Sequence, residues 1–355
     1  MDRREFLKAM GATGVAMITS PAMSASETKP GSEPWRTRVT DHFDGEEFFN
    51  PGLNDEKGIG DLLKWRFNRT PGPWPESRDD NHPFTFLPVD ASSSLRATRI
   101  NHCTFLVQLG SLNLLTDPIY SQRTSPVSWA GPKRLRKPGI AWEDLPTIDV
   151  VLVSHNHFDH LDLPTLRRLH KRFAPTFITG LGNRAFLAEE GIPGAIELDW
   201  WEQVPLGPET RLTYTPAQHW SNRGGGTRNK TLWGGFYLHH KDVSVYFAGD
   251  TGYCTWFSEI QKKLGAPTLA MLPIGAYKPR WFMRTNHMNP EEAAQAHLDL
   301  GAKWSLPMHH DTFRLADEGY DEPLNDLRDS LAAKTIPPEK FPFTAPGETW
   351  SVKQG

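Results

Sequence analysis

From about residue 95 onward the chain is a succession of short apolar runs separated by turn formers. Residues 149–153 hold consecutive Val150, Val151, Leu152 and Val153, the pattern of a strand buried on both faces. Thr104–Leu109 and Leu112–Thr116 predict a hairpin that runs into a turn at Asp117-Pro118. Residues 243–248, 269–274 and 304–308 predict three more strands. Helical spacing governs 163–173, with Pro164 in the first turn, and 290–300, with Asn289 as N-cap and Pro290 in the first position. The alternation is that of an α/β (α+β) fold. Polar clusters follow the strand ends, where such sheets place their chemistry.

The first 90 residues read differently. Residues 59–67 set Ile59, Leu62, Leu63 and Phe67 at helical spacing beside Lys64, Arg66 and Arg69, which predicts either a packed surface helix or one that touches a membrane. Residues 26 to about 40 are polar and Pro-containing, the composition of a mobile leader, and 70–83 are rich in turn formers. The start, Arg3-Arg4-Glu5-Phe6-Leu7-Lys8 before a Gly/Ala-rich stretch and small residues around Ala22 to Ala25, reads as a twin-arginine export signal. Gly11, Gly14 and Pro21 interrupt that stretch too soon for a permanent membrane span. The expected organisation is a signal peptide over 1–25, an N-terminal extension over 26–90 carrying the 59–67 helix, and a catalytic domain over 91–345. The expected location is the periplasm, with membrane association where that helix is the membrane-touching kind rather than a packed surface helix.

Composition narrows the function. With 355 residues, 38% of them hydrophobic, the chain can bury one large core. A net charge of -3, from 39 basic and 42 acidic side chains, gives no global field for nucleic acid. The densest basic run, Lys133-Arg134-Leu135-Arg136-Lys137, reads as a solvated face or as a contact for anionic head groups. Cys103 and Cys254, the 2 cysteines, exclude a disulfide framework and a Cys-rich zinc site, and are expected to be buried free thiols. Fourteen histidines and thirteen tryptophans are the unusual counts.

Four of the metal-binding side chains stand together in His155-x-His157-x-Asp159-His160, directly after the predicted strand 149–153. Zinc takes neutral imidazole and carboxylate ligands at short range, and alternate residues of an extended chain share a face. His155 and His157 can therefore reach one ion while Asp159 and His160 reach a second. His219, Asp250 and His309 stand at further strand ends, and a carboxylate such as Asp250 can bridge two ions through its two oxygens. His310 beside His309 is the competing choice.

This series of His and Asp residues resembles the metallo-β-lactamase superfamily. Longer strings resemble its N-acylphosphatidylethanolamine-hydrolysing phospholipase D branch: Leu115-Thr116-Asp117-Pro118-Ile119, Glu197-Leu198-Asp199-Trp200-Trp201, Ala217-Gln218-His219-Trp220, 247–254, and the run from Pro273 to Met283. The resemblance implies an αββα sandwich holding two Zn2+ per chain. His155, His157 and His219 would hold one ion, Asp159, His160 and His309 the other, with Asp250 between them. It implies a phospholipid substrate, cleaved to N-acylethanolamine and phosphatidic acid by water activated between the ions, and a homodimer. Asp250 and Asp159 would then be catalytic, with His287 positioning substrate or stabilising the leaving group. Asp117 and Asp162 are read as holding metal-bound imidazoles or as turn and capping residues. Trp200, Trp201, Trp281 and Phe282 fill the core or line an acyl groove. Asp311, where the family has Gly, and Gly224-Gly225-Gly226 depart from the pattern and bear on the substrate. The competing functions are a same-fold hydrolase of a lactone or other ester, and a non-catalytic lipid- or metal-binding protein.

Overall fold

The computed structural model describes residues 33–53, 57–87 and 95–352. The export signal and the 90/91 boundary lie outside the described residues. One sheet holds β1 (Leu95–Asn101), β2 (Thr104–Leu109), β3 (Leu112–Thr116), β4 (Val150–Val153), β5 (Thr176–Gly180) and β6 (Ile196–Leu198). The other holds β7 (Gln203–Pro205), β8 (Thr210–Thr215), β9 (Gly235–His240), β10 (Val243–Phe247), β11 (Leu269–Pro273) and β12 (Trp304–Met308). The last strand, β13 (Thr349–Val352), returns to the first sheet, giving the orders β13-β1-β2-β3-β4-β5-β6 and β12-β11-β10-β9-β8-β7. Pairing is antiparallel from β13 to β3 and parallel from β3 to β6; in the second sheet β10, β11 and β12 are parallel.

Among the described residues seven helices accompany the sheets: α1 (Ile59–Phe67), α2 (Leu163–Phe173), α3 (Asn183–Glu189), α4 (Trp256–Leu264), α5 (Arg280–Met283), α6 (Pro290–Leu300) and α7 (Glu322–Ala333). The unbroken apolar run of β4 explains the layering. Val150 and Leu152 point into the core between the sheets, whereas Val151 and Val153 pack with Leu166 and Leu169 of α2 and Leu187 of α3 on the outer face. On the far side, α6 lies against β11, flanked by α4 and α7. The result is the αββα sandwich that the sequence implied. α6 opens as expected: Glu292 N donates to Asn289 Oδ1 at 2.9 Å and Asn289 N to Glu292 Oε2 at 3.0 Å, a capping box behind Pro290.

Residues 34–40 depart from the mobile leader expected there. Pro34–Thr37 form a 3-10 turn, and Trp35 packs its ring against Phe43 and Phe48 at 5.5 and 5.6 Å. His42 stacks on Trp200 at 4.4 Å and meets Asp199 at 2.7 Å, so aromatic burial anchors a stretch whose polar composition suggested freedom. α1 buries none of its residues fully. Trp65 docks it, stacking on Phe282 at 5.0 Å and donating from Nε1 to Asp317 Oδ2 at 2.8 Å, and Lys64 lies over the Trp281 ring at 4.8 Å. No helix among the described residues is long and apolar enough to cross a membrane.

Candidate metal centre

The loop after β4 is fixed from below by Asp117, which the β3 turn delivers at φ +34. Its carboxylate accepts from Ser154 N at 2.7 Å, from Ser154 Oγ at 2.6 Å and from His160 Nδ1 at 2.6 Å. These contacts dictate tautomers by elimination. His160 donates from Nδ1, so its Nε2 is the nitrogen turned inward, the atom that would take a metal on losing its proton. Ser154 has given its proton to Asp117, so its Oγ accepts from His155 Nδ1 at 3.0 Å and frees His155 Nε2. The Asn286 carbonyl accepts from His219 Nδ1 at 2.9 Å, freeing His219 Nε2.

Those freed nitrogens converge. His155 Nε2 lies 2.9 Å from His157 Nδ1, which lies 3.2 Å from His219 Nε2. Beside them, Asp250 Oδ2 sits 3.0 Å from His309 Nε2 and 3.2 Å from His160 Nε2, and Asp159 Oδ2 is 3.4 Å from both imidazoles. Asp250 also lies 3.8 Å from His219 Nε2, so it stands between the two groups. Tetrahedral zinc with Zn–N near 2.0–2.1 Å sets its ligand atoms about 3.3 Å apart, close to these separations. Inward-facing lone pairs and carboxylates this close repel unless a cation lies among them. His160 Nε2, His309 Nε2 and Asp250 Oδ1 are buried without a hydrogen-bond partner among the described residues. The donor set therefore fits two metal ions.

Electrostatics divides the groups. Burial pushes His155 and His219 well below the usual imidazole range and takes His157 to about 4, so these three are neutral, as metal ligation requires. In the other group burial opposes every charge but loses. His160 draws the Asp159 and Asp250 carboxyls well below their usual range, while Asp250 ahead of Asp159 lifts His309 to about 9. A site that binds protons this tightly between two carboxylates is one that calls for positive charge.

The β-strand ends bring together all seven residues read from the sequence. β4 leads to His155, His157, Asp159 and His160; β8 to His219; β10 to Asp250; β12 to His309. Gly249 makes the Asp250 turn, since at φ +62 an added Cβ would lie 2.7 Å from Gly234 O. His287 joins them, its Nδ1 3.8 Å from Asp250 Oδ2. His310 instead faces Asp311 at 3.7 Å, and Asp311 pairs with buried Arg99 at 2.6 Å. Asp117 holds an imidazole as expected, but Asp162 does not: it accepts from Tyr120 N, Ser121 N and Ser121 Oγ and ties the β3 exit to α2.

Sequence patterns missed two contributors. His102, in the turn between β1 and β2, reaches Asp159 Oδ2 from Nε2 at 3.1 Å. Asn50 brackets the backbone of His219, donating to its carbonyl at 2.8 Å and accepting from its amide at 3.2 Å. Neither lies in a recognisable motif; the lone clue was a polar pair, Asn101-His102, at a tight hairpin turn. The basic run 133–137 is a solvated face only in part: Lys133 and Lys137 are exposed, but its arginines turn inward. Arg134 is buried and donates to Ser121 O at 2.6 Å, and Arg136 is buried against Asp80 and Asp311 at 3.2 and 3.7 Å. Cys103 is buried as expected; Cys254 is half-buried, and both are free.

His157, Asp159, His219, Asp250 and His287 line a cavity of about 770 Å³. Leu62, Trp65 and Phe282 line the same cavity with apolar surface. Of the aromatics read as core or groove, Trp200 is core, Phe282 lines the cavity and Trp281 is 43% exposed. Arg223, held by Asn156 O and Leu161 O at 2.9 and 3.0 Å, and Arg228, over the Trp220 ring at 5.0 Å, bring positive charge to the same cavity.

Comparison with known proteins places this geometry. Residues 112–310 match the family described as the beta-lactamase superfamily domain. The chain is 36% identical over 283 residues to N-acyl-phosphatidylethanolamine-hydrolyzing phospholipase D 1 of Caenorhabditis elegans, covering 76% of this chain and 80% of that protein. It is 30% identical over 236 residues to a UPF0173 metal-dependent hydrolase of Caldivirga maquilingensis, covering 66% and 89%. Among solved structures, Igni18, a metallo hydrolase from Ignicoccus hospitalis, superposes with a TM-score of 0.55 at 24% identity, over 74% of this chain and 99% of that one, a likeness of fold.

Proposed function

We infer, given that the chain belongs to the metallo-β-lactamase superfamily and is a metal-dependent hydrolase, that it is a two-zinc phosphodiesterase acting on N-acylphosphatidylethanolamine or a related phospholipid. The observation that carries this reading is that two abutting ligand groups, joined at Asp250, open on a cavity also lined by the apolar Leu62, Trp65 and Phe282. A substrate with a charged phosphodiester and acyl chains matches that polarity. His155, His157 and His219 would hold one ion and Asp159, His160 and His309 the other, with Asp250 shared.

When bound, such a metal pair lowers the pKa of water and offsets negative charge at an attacked phosphorus. The chain's own groups do the rest. Asp117, Ser154 and Asn286 turn the Nε2 atoms of His160, His155 and His219 toward the site, and the protons that His160 and His309 hold beside the carboxylates would leave on ligation. Asp250 and Asp159 keep their charge and orient water by hydrogen bonding. His287, neutral and lining the cavity, would steer the phosphodiester or stabilise the departing oxygen by donating a hydrogen bond from its ring N–H. Arg223 and Arg228 add positive charge for the phosphate oxygens. The apolar lining takes the acyl chains and excludes water.

Access to a lipid follows from α1. Ile59 is 78% and Phe67 82% exposed, with Leu62 and Leu63 about half exposed, beside the cavity and next to Lys64 and Arg66. We assign this face to contact with a membrane surface, and the twin-arginine start to function in the periplasm. The test is purified protein of measured zinc content offered N-acylphosphatidylethanolamine, simple phosphodiesters and lactones, beside Asp250→Asn. Release of N-acylethanolamine by the wild type alone supports the reading. Lactone hydrolysis without phosphodiester cleavage overturns the substrate class, and two bound metals without turnover favour a binding protein.

A further inference from the structure

We propose that His102 is a positioning residue for Asp159, and through it for the second metal site; this rests on the two-metal reading above. His102 occupies the two-residue turn between β1 and β2 and is fully buried. Its φ of +34 is one that residues with a side chain rarely adopt. Such a conformation persists where the surroundings hold it and is concentrated at functional sites. Two hydrogen bonds hold it: His102 N donates to Thr312 Oγ1 at 2.8 Å, and His102 O accepts from His309 N at 3.2 Å. The turn is thus stitched to the segment that carries the ligand His309. The ring lies 4.2 Å from the His309 ring and meets Phe313 edge-on at 5.4 Å.

What the strained turn achieves is one contact, Nε2 to Asp159 Oδ2 at 3.1 Å. The other nitrogens near that oxygen, His160 Nε2 and His309 Nε2, are both 3.4 Å away and belong to the ligand set. A carboxylate only accepts, so His102 donates its Nε2–H, and its buried Nδ1 has no hydrogen-bond partner among the described residues. An imidazole with no partner on one nitrogen is an expensive way to pack a hairpin, and a direct way to set the rotamer of a neighbouring ligand. His102 also lies before residues 112–310, outside the stretch matched to the family.

The experiment compares wild type, His102→Ala and His102→Gln by competitive chelator titration with zinc, by the absorption of the cobalt-substituted protein and by thermal melting. In His102→Ala the second equivalent should bind about 10–100-fold more weakly, the usual cost of losing a ligand's outer partner, with the first unchanged. His102→Gln, whose amide N–H can replace the donor, should recover most of that affinity and the wild-type cobalt spectrum. Two equivalents of unchanged affinity in His102→Ala would overturn the inference, as would equal weakening of both together with a lower melting midpoint, which marks a packing role. Fewer than two equivalents in the wild type would instead overturn the two-metal reading itself.

Discussion

Asp117 Oδ2 lies 2.6 Å from His160 Nδ1, and neither side chain has any exposed surface. The same carboxylate accepts both donors of Ser154, so one residue sets the tautomer of His160 directly and that of His155 through the serine hydroxyl. Asp117→Asn replaces one acceptor oxygen with a donor among three donors. Metal affinity should fall at least about 10-fold. Asp117→Ala leaves His160 and Ser154 without their acceptor and should cost about 3 kcal/mol of stability as well. Zinc content after dialysis and urea denaturation measure the two effects; wild-type metal retention in Asp117→Asn would refute the tautomer argument.

Removing metal should destabilise the whole sandwich, because the ligands come from the ends of β4, β8, β10 and β12 in both sheets. With free zinc at about 100 times its dissociation constant, linkage predicts a loss of about 3 kcal/mol on chelation. Asp250→Asn should mimic chelation, since the shared charge is gone while two imidazoles still face its oxygen. Calorimetry with and without chelator tests this, and an unchanged melting temperature in both cases would sink it.

Much of this centre was legible in the sequence, for a physical reason. His155 to His160 are contiguous, and His219, Asp250 and His309 each end a strand, where the parallel pairing of β10, β11 and β12 brings loops to one edge. His102 and Asn50 were not legible: they act through one hydrogen bond and a pair of hydrogen bonds across 57 and 169 residues, which leaves no local pattern. Charge runs mislead similarly, because a string such as 133–137 does not say which guanidinium turns inward. Short strands with mixed composition, β5 to β9, were passed over because they are specified by their neighbours in the sheet.

His42 gives the N-terminal segment a pH dependence. Burial opposes its charge, but hydrogen bonds to Asp199 and then Asp41 raise its pKa above the ordinary 6.5. A raised folded-state pKa stabilises fully below the unfolded value and is lost as pH rises through the folded one. His42→Asn should therefore cost most below about pH 6, on the order of 1 kcal/mol once the exposure of Asp41 is discounted. The gap to wild type should narrow as the pH climbs past neutrality. Urea titrations at pH 5.5, 7 and 8.5 decide it, and a gap that widens with pH would reverse the sign.

The exposed face of α1 separates chemistry from access. Ile59 and Phe67 are among the most exposed large apolar side chains, while Trp65 on the same helix is tied to Asp317 and Phe282. Ile59→Ser/Phe67→Ser should leave the helix docked and the ligand groups untouched. Each apolar side chain buried in a lipid interface contributes roughly 1.5–3 kcal/mol, so losing two should weaken vesicle binding by about 100-fold or more. Turnover of a short, soluble phosphodiester should stay at the wild-type rate, because that substrate reaches Asp250 without a membrane. Lys64 and Arg66 add a contact that salt should weaken on anionic vesicles but not on neutral ones. Sedimentation with vesicles of both compositions, beside the soluble assay, distinguishes the terms. Equal vesicle binding by the double variant would remove α1 from the membrane contact, and a parallel loss on the soluble substrate would make it a wall of the active site instead.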